Sequence, residues 1–572
     1  MNIIETQRKA FAAATPEGGE PSAFAAAVRP STDPKFGDYQ ANGCMGLAKA
    51  LKKDPREVAR GVAAAVDLAP LAGPPEVAGP GFLNVRLRDD WVAATLRDLL
   101  GDERLGLIPP ERRKTVVIDY SSPNVAKPMH VGHVRSTVIG ESLARIFTAL
   151  GHEVIRDNHL GDWGSQFGMI LWGWKNHRDE AAFAADPVGE LARLYRLAQS
   201  KIQAGATEVE EAARVETAKL HEGDPENRAL WERFMPHCLA ALRGVYDRLG
   251  VAFDVQLGES FYDPSLADVV QDLEVKGIAV PSEGATVVFV EGMKAPLIVR
   301  KQDGAFNYAT TDLATIQYRE ETWHPDEVLY VVDHRQGDHF KALFAVARRW
   351  GYGRADLEHV AFGTILGRDR KPFKTRDGDV VGLESLLDEA VAEARKVVDA
   401  NSPDLDPEQR GRVAEVVGLG AIKYADLSQN RLSDYVFDWD KMLAMNGNTG
   451  AYLQYAYARI RSIFRKGDVT PESVRDRRPA IALSHPAERA LGVQVLRLPE
   501  TLELAAGELK PNILTDYLFD LANKFSTFFE ECPVLKAESA DRRDSRLALC
   551  DLTARTMKLG LQLLGIDVID RM

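Results

Sequence analysis

The sequence predicts a multidomain α/β protein: a doubly wound parallel-sheet (Rossmann-like) core with helical insertions, a small α+β N-terminal domain and an all-α C-terminal domain. Length is the first reason, because 572 residues exceed what one hydrophobic core organises, and three or four domains are expected. The second is a strand, loop and helix in Val116 to Gly140 and beyond. A brief β-branched run, Val116-Val117-Ile118, precedes a loop, and Ile139, Leu143, Ile146, Phe147 and Leu150 then recur at helical spacing. The third is the closing stretch from residue 446, which alternates helical patterns with short turns.

Composition and charge exclude several classes. There is no apolar run of 18 residues, and MNIIETQRKAF lacks the order of a signal peptide, so a cytoplasmic enzyme without a membrane association is expected. Cys44, Cys238, Cys532 and Cys550 stand far apart, which argues against a disulfide framework or zinc ribbon and for reduced, structural thiols. A net charge of −13 runs against nucleic-acid binding. From Lys441 onward, however, 19 Lys and Arg face 17 Asp and Glu, so the acidity lies in the first 440 residues and a basic nucleic-acid-facing side remains open.

Taken in order, residues 1–110 read as an N-terminal helix, a turn-rich segment containing Phe36-Gly37-Asp38-Tyr39-Gln40, an Ala-rich helix near 55–66 and a strand in Gly79–Val85. Next comes the strand at 116–118, its loop and its helix. His130 and His133 stand three apart where that helix starts, with Pro123, Pro128 and Gly132 around them. In an open α/β sheet this point binds phosphates, because free backbone N–H groups and the helix dipole favour anions. Two imidazoles there donate to phosphate oxygens without a fixed charge, which suits nucleotidyl transfer, a reaction catalysed by positioning and electrostatics. A zinc site would need further Cys or His ligands nearby, and none stand there; no metal site is expected in the protein itself.

The flanking residues sharpen this. Pro123-Asn124-Val125-Ala126-Lys127-Pro128-Met129-His130-Val131-Gly132-His133, continuing through Arg135-Ser136-Thr137, resembles the signature of class I aminoacyl-tRNA synthetases, and its Ser-Pro-Asn-x-Ala-Lys form resembles the arginyl-tRNA synthetases. His159-Leu160-Gly161-Asp162-Trp163-Gly164-Ser165-Gln166, after the next strand, is similar to a second motif of that family. The bland alternative for Trp163 is a buried ring in a glycine-bounded turn.

The resemblance implies roles along the rest of the chain. Residues 1–110 become an additional domain that contacts the outer corner of tRNA, where Phe36 or Tyr39, if exposed, would stack on a base, the alternative for either ring being simple core packing. Residues 111–382 become the catalytic domain, with insertions at about 175–300 in which no chemistry is visible. Tyr308 and Asp312 lie four apart and face the same way on a helix, a planar partner and a carboxylate for a guanidinium. Asp119 offers a second carboxylate, and in the family these positions with Asn124 and a glutamine, here Gln336, bind arginine. The bland roles are a strand-end cap for Asp119 and a solvated helix residue for Asp312. Lys371-Pro372-Phe373-Lys374-Thr375 resembles a degenerate Lys-Met-Ser-Lys-Ser loop, with Phe373 where that loop usually has serine. Residues 383–445 connect, and 446–572 resemble the helical anticodon-binding domain, in which Tyr452, Tyr455 and Arg459 are candidates for tRNA contact.

The resemblance thus implies ATP-dependent attachment of L-arginine to tRNA(Arg) through arginyl-adenylate. Gly132, His130 and His133 would hold the triphosphate, and Lys127, Lys371 and Lys374 would neutralise it. Magnesium would accompany ATP, no permanent cofactor is implied, and a monomer is expected. Two rivals remain. A small nucleotidyltransferase has no need of residues 1–110 and 445–572, and a catalytically dead RNA-binding paralogue should have lost the histidines or lysines.

Overall fold

The structure is a computed structural model that describes residues 2–371, 373 and 381–572. The first unit holds α1 (Ile3–Ala13), α2 (Pro21–Ala26), β1 (Val28–Pro30), β2 (Tyr39–Ala41), α3 (Cys44–Leu51), α4 (Pro55–Ala65), β3 (Glu76–Ala78) and β4 (Phe82–Val85). Its strands form an antiparallel sheet in the order β1-β2-β4-β3. Asp54 caps α4 by accepting from the backbone N–H groups of Arg56 and Glu57. Gly37 enters β2 at φ 86°, and a Cβ there would lie 2.5 Å from the Val85 carbonyl oxygen, so only glycine fits. α5 (Asp89–Leu99) then leads to the core.

The core begins with β5 (Thr115–Asp119), α6 (Gly132–Leu150) and β6 (Glu153–Asp157). A helical insertion follows: α7 (Ser165–His177), α8 (Glu180–Ala185), α9 (Pro187–Gln203), α10 (Thr207–His221) and α11 (Pro225–Leu249). Next come α12 (Glu259–Tyr262), α13 (Leu266–Val275) and an antiparallel sheet of β7 (Val280–Ser282), β8 (Ala285–Val288) and β9 (Leu297–Arg300). The second half of the core is α14 (Tyr308–Thr322), β10 (Glu327–Tyr330), α15 (Gly337–Trp350) and β11 (Asp356–His359). Its sheet is parallel in the order β11-β10-β5-β6, with Asp119 opposite Tyr330 on one side and Asp157 on the other. Val116, Val117 and Ile118 are buried, as a strand covered on both faces requires.

β12 (Ile365–Leu366) pairs with β13 (Tyr435–Val436) across α16 (Leu383–Asn401) and α17 (Pro407–Leu427). After α18 (Trp439–Met442) the chain is helical: α19 (Gly450–Gly467), α20 (Pro471–Arg477), α21 (Pro486–Leu496), α22 (Leu498–Gly507), α23 (Asn512–Glu531) and α24 (Ala540–Leu563). Among the described residues no helix is long and apolar enough to cross a membrane, and all four cysteines are buried and free. The periodicity of α6 had suggested one apolar face, but fourteen of its nineteen residues are buried. α17, α22 and α24 cover the sides that a surface helix would leave to water.

The N-terminal sheet is pinned to the helical end of the chain. Arg489 on α21 donates to both oxygens of Asp38, at 2.9 and 2.8 Å, and to Asp89 at 2.6 Å. The Tyr39 hydroxyl donates to Glu500 on α22 at 3.0 Å. Tyr39 is 0% exposed, which corrects its expected role as a base-stacking ring: it belongs to this junction. Asp38→Ala would leave the half-buried Arg489 guanidinium with Asp89 and the Leu87 carbonyl, and breaking such a pair costs about 3 kcal/mol. The expected outcome is faster limited proteolysis between the N-terminal unit and the core, with Asp38→Asn intermediate; an unchanged cleavage rate would assign the junction to apolar packing.

Candidate active site

The site grows from the turn that leaves β5. Ser121 and Ser122 both adopt positive φ, 69° and 44°, a conformation that costs side-chain-bearing residues of order 1 kcal/mol or more each. Polar bonds impose it. The Ser121 N–H donates to Ser136 Oγ at 2.8 Å, the Ser122 N–H to Asn158 Oδ1 at 3.1 Å, and Ser122 Oγ to Asp119 Oδ1 at 2.7 Å. This contorted turn sends the chain along the end of the sheet, where Asn124 bridges to Gly161 and donates to Gln166 Oε1 at 3.1 Å. The two family-like motifs are therefore one surface.

At the start of α6 the two imidazoles lie 4.0 Å apart, centre to centre. The His130 N–H donates to His133 Nδ1, and the Gly132 N–H to His130 Nδ1, each at 3.1 Å. A ring nitrogen that accepts carries no proton, so neutral His130 keeps its proton on Nε2, a free donor, whereas His133 Nδ1 also faces the His130 carbonyl at 3.3 Å and can carry the proton on either nitrogen. The electrostatics agree. Burial, then the neighbouring His130, pushes the pKa of His133 down to about 4, and burial with Lys127 lowers that of His130. Lys127 thus lies within electrostatic reach of both rings, its Nζ resting 5.0 Å above the ring of Tyr195 on α9.

On the other side of the turn is an acidic chamber. Asp312 on α14 pairs with Nε2 of His339 on α15 at 2.6 Å, and Tyr308, 59% exposed, packs its ring 4.8 Å from the same imidazole. Gln336 is exposed in the turn just before α15. Asp119 is buried at the strand end, held by Ser122 and by Arg319, whose Nη2 donates to Asp119 Oδ2 at 2.6 Å. A carboxylate has about four lone-pair positions, so these two bonds leave others for a ligand. Glu259 lies within electrostatic reach of Asp312, and of the buried Asp162, whose two oxygens accept from Ser260 at 2.9 and 2.6 Å. Burial raises the pKa of both Glu259 and Asp162, and Asp162 and Asp312 add to the effect on Glu259. Among the described residues no group of three or more His, Cys, Asp or Glu is arranged to hold a metal ion. The negative lining instead suits an organic cation.

Sequence reasoning missed Glu259 and His339. Neither sits in a motif the reading used, and only the fold brings them to Asp312. It also missed the use of the insertion: Arg228 covers the buried Trp163 ring at 4.5 Å, and Trp231 Nε1 donates to the Asp162 carbonyl at 2.9 Å, so these helices brace the glycine-rich loop. Tyr246 on α11 bonds Ser121 Oγ at 2.9 Å. Lys371 is exposed, its N–H bonded to Asp369 at 3.1 Å. Lys374 lies outside the described residues. Phe373, in the serine position of the class pattern, stacks on Phe437 at 4.7 Å. Among the expected tRNA contacts, Phe36 is 39% exposed beneath Lys35 and Tyr455 is 41% exposed. Tyr452 is half-buried against Phe519, and Arg459 lies 4.4 Å over the Phe529 ring, so both are partly spent on α23.

Comparison with known proteins bears on the whole chain. Residues 2–87 match the arginyl tRNA synthetase N-terminal domain, residues 95–439 the catalytic domain of class I tRNA synthetases (R), and residues 453–572 the DALR anticodon-binding domain. The arginine–tRNA ligase of Hahella chejuensis is 45% identical over 100% of both chains, and that of Rhodopirellula baltica 44% identical over 99% of both. In structure, the Plasmodium falciparum arginyl-tRNA synthetase superposes with a TM-score of 0.81 at 30% identity, covering 95% of this chain and 94% of that one. The Thermus thermophilus arginyl-tRNA synthetase reaches 0.83 at 25% identity, covering 99% and 100%. With matching domains in sequence along the chain and relatives of this similarity from end to end, the protein belongs to the arginyl-tRNA synthetases of class I.

Proposed function

We propose that the protein attaches L-arginine to tRNA(Arg) in two steps, forming arginyl-adenylate and pyrophosphate from arginine and ATP, then passing the arginyl group to the terminal adenosine. The observation that carries this reading is the acidic chamber beside the neutral histidine pair: one side suits a guanidinium, the other a triphosphate. In this reading His130, His133 and the Gly132 backbone hold phosphate oxygens, with Lys127, Lys371 and Lys374 balancing charge as pyrophosphate leaves. Tyr308 and Asp312 take the guanidinium, aided by Glu259, while Asp119, Asn124 and Gln336 orient the rest of the amino acid. Magnesium enters with ATP, since it binds readily through phosphates and waters.

The division of labour we propose is 1–110 for contact with the tRNA body, 111–382 for catalysis with insertions at about 175–300, 383–445 as a connector and 446–572 for the anticodon; it is supported by the spans of the matching domains. Phe36, Tyr455 and, with less open surface, Tyr452 and Arg459 are its tRNA contacts. The protein is proposed to act in the cytoplasm as a monomer. The deciding experiment is amino-acid-dependent ATP–pyrophosphate exchange with each of the twenty amino acids, with and without tRNA; exchange driven by another amino acid in preference to arginine would overturn the reading.

Three outcomes are expected. His133→Ala should slow adenylate formation by two to three decades, about 3–4 kcal/mol for one transition-state donor, with arginine binding nearly intact; equal losses in both would make His133 structural. The His133 ring should titrate near pH 4 by NMR. Because folding favours its neutral form, it contributes stability that is present above the ordinary histidine value of about 6.5 and is lost as pH falls from there towards 4. A midpoint near 6.5 would contradict the buried setting. Asp312→Asn should weaken arginine binding more than about tenfold, since an unpaired buried guanidinium costs several kcal/mol, and leave the KM for ATP nearly unchanged. Loss of less than about threefold in arginine affinity would move the guanidinium elsewhere.

A further inference from the structure

Arg319 is wholly buried and takes no part in the reading above. It stands on α14 seven residues beyond Asp312, and two helical turns bring it back to the same face as Tyr308 and Asp312. From there its fork reaches the ends of two neighbouring strands. Nη2 lies 2.6 Å from Asp119 Oδ2 and 2.7 Å from Asp157 Oδ2, and Nε donates to Asp157 at 3.0 Å. Asp119 and Asp157 are register partners on β5 and β6, so without the guanidinium two like charges would share one buried place. With it the trio keeps one net negative charge, on the side of the sheet where the arginine site was drawn. The Tyr330 ring lies 5.2 Å from the guanidinium.

We infer that Arg319 is a positioning residue for amino-acid selection: its fork aims the Asp119 carboxylate and fastens the helix of Tyr308 and Asp312 to the strand ends. The inference rests on the assignment of Asp119 to the arginine site. An arginine of the protein thereby sets the carboxylate that receives the arginine of the substrate. The charged and titratable groups facing Asp119 are Arg319 on α14, Asp157 on β6, Tyr330 on β10 and Tyr262 on α12, with His159 beside Asp157.

The test is pyrophosphate exchange with saturating tRNA for Arg319→Met, Arg319→Lys and Asp119→Asn, each as a function of pH. Arg319→Met should raise the KM for arginine about tenfold or more, leave the KM for ATP within about twofold, and move the acid limb of kcat/KM for arginine up by roughly one pH unit or more, because a carboxylate loses its cation. Arg319→Lys should return the acid limb but recover only part of the KM, since a point charge cannot bridge two carboxylates as a planar fork does. Parallel losses for arginine and ATP with an unmoved acid limb in both variants would make Arg319 merely structural and overturn the inference. If Arg319→Met fails to fold by thermal melt, Arg319→Lys decides by its KM values: a raised KM for arginine with the KM for ATP within about twofold supports the inference, and parallel losses overturn it. Asp119→Asn within about threefold of wild type in KM for arginine would remove the underlying assignment, a failure distinct from that of Arg319.

Discussion

Two carboxylates set side by side at the ends of adjacent parallel strands are the constraint on which this site is built. Asp119 and Asp157 are opposite one another in the sheet and both are buried. Burial alone would protonate one of them, and it does raise the pKa of Asp157. The cation that balances them is not supplied by the strands or by the nearby turn but by α14, on the other half of the core. Burial works against the charge of Arg319, yet Asp157 and Asp119 outweigh it and hold its pKa well above the ordinary value. Once that bond is made, the position of α14 relative to the sheet is set. Tyr308 and Asp312 then come to the chamber as a consequence.

The histidine pair is organised on the opposite electrostatic principle. Among the described residues no carboxylate pairs with His130 or His133; the Nδ1 of His130 accepts a backbone N–H bond, and burial disfavours a proton on both rings. The rings remain neutral donors where a positive charge would bind a triphosphate tightly before reaction as well as during it. Binding that is equal in ground and transition states does not raise kcat. Fixed charge is left to the lysines, one of which, Lys127, is held over Tyr195 at the edge of the insertion. Between the two principles stands the Ser121-Ser122 turn. Its two left-handed residues are held in place by Ser136, Asn158 and Asp119.

Strands, the signature helix and the helical end were legible because their signals are local: β-branched runs and 3.6-residue spacing. The signature histidines were legible for the same reason. What could not be read depends on partners distant in sequence. Tyr39 looked like a ring for RNA, and its true partner, Glu500, is 461 residues away. Arg319 stands in the last turn of α14, and nothing nearby in sequence reports Asp119, 200 residues earlier. Positive φ at Ser121 and Ser122 carried no glycine to betray it. His339 and Glu259 stand near the starts of helices and outside any motif, and only the fold brings both to Asp312.

The same long-range bonding explains why a helix that begins at the histidines is buried along most of its length. Glu141 on α6 accepts from the Tyr120 hydroxyl at 2.6 Å and from Arg145 Nε at 2.6 Å. Arg145 also donates to the carbonyls of Gln562 on α24, at 2.9 Å, and of Gly250 after α11, at 2.6 Å. Gly140 is the only residue type that lets α6 pass this close to β5, because a Cβ there would lie 2.3 Å from the Tyr120 ring. One end of α6 therefore presents the two imidazoles, and the other is bonded at once to the insertion and to the last helix of the chain. An active site tolerates little misplacement, and an error near 1 Å can cost about a hundredfold in rate. A surface helix held by one face has rotational and sliding freedom of that order. Closing α6 on every side removes that freedom, and the helical end of the protein, whatever else it binds, is part of what holds the histidines still.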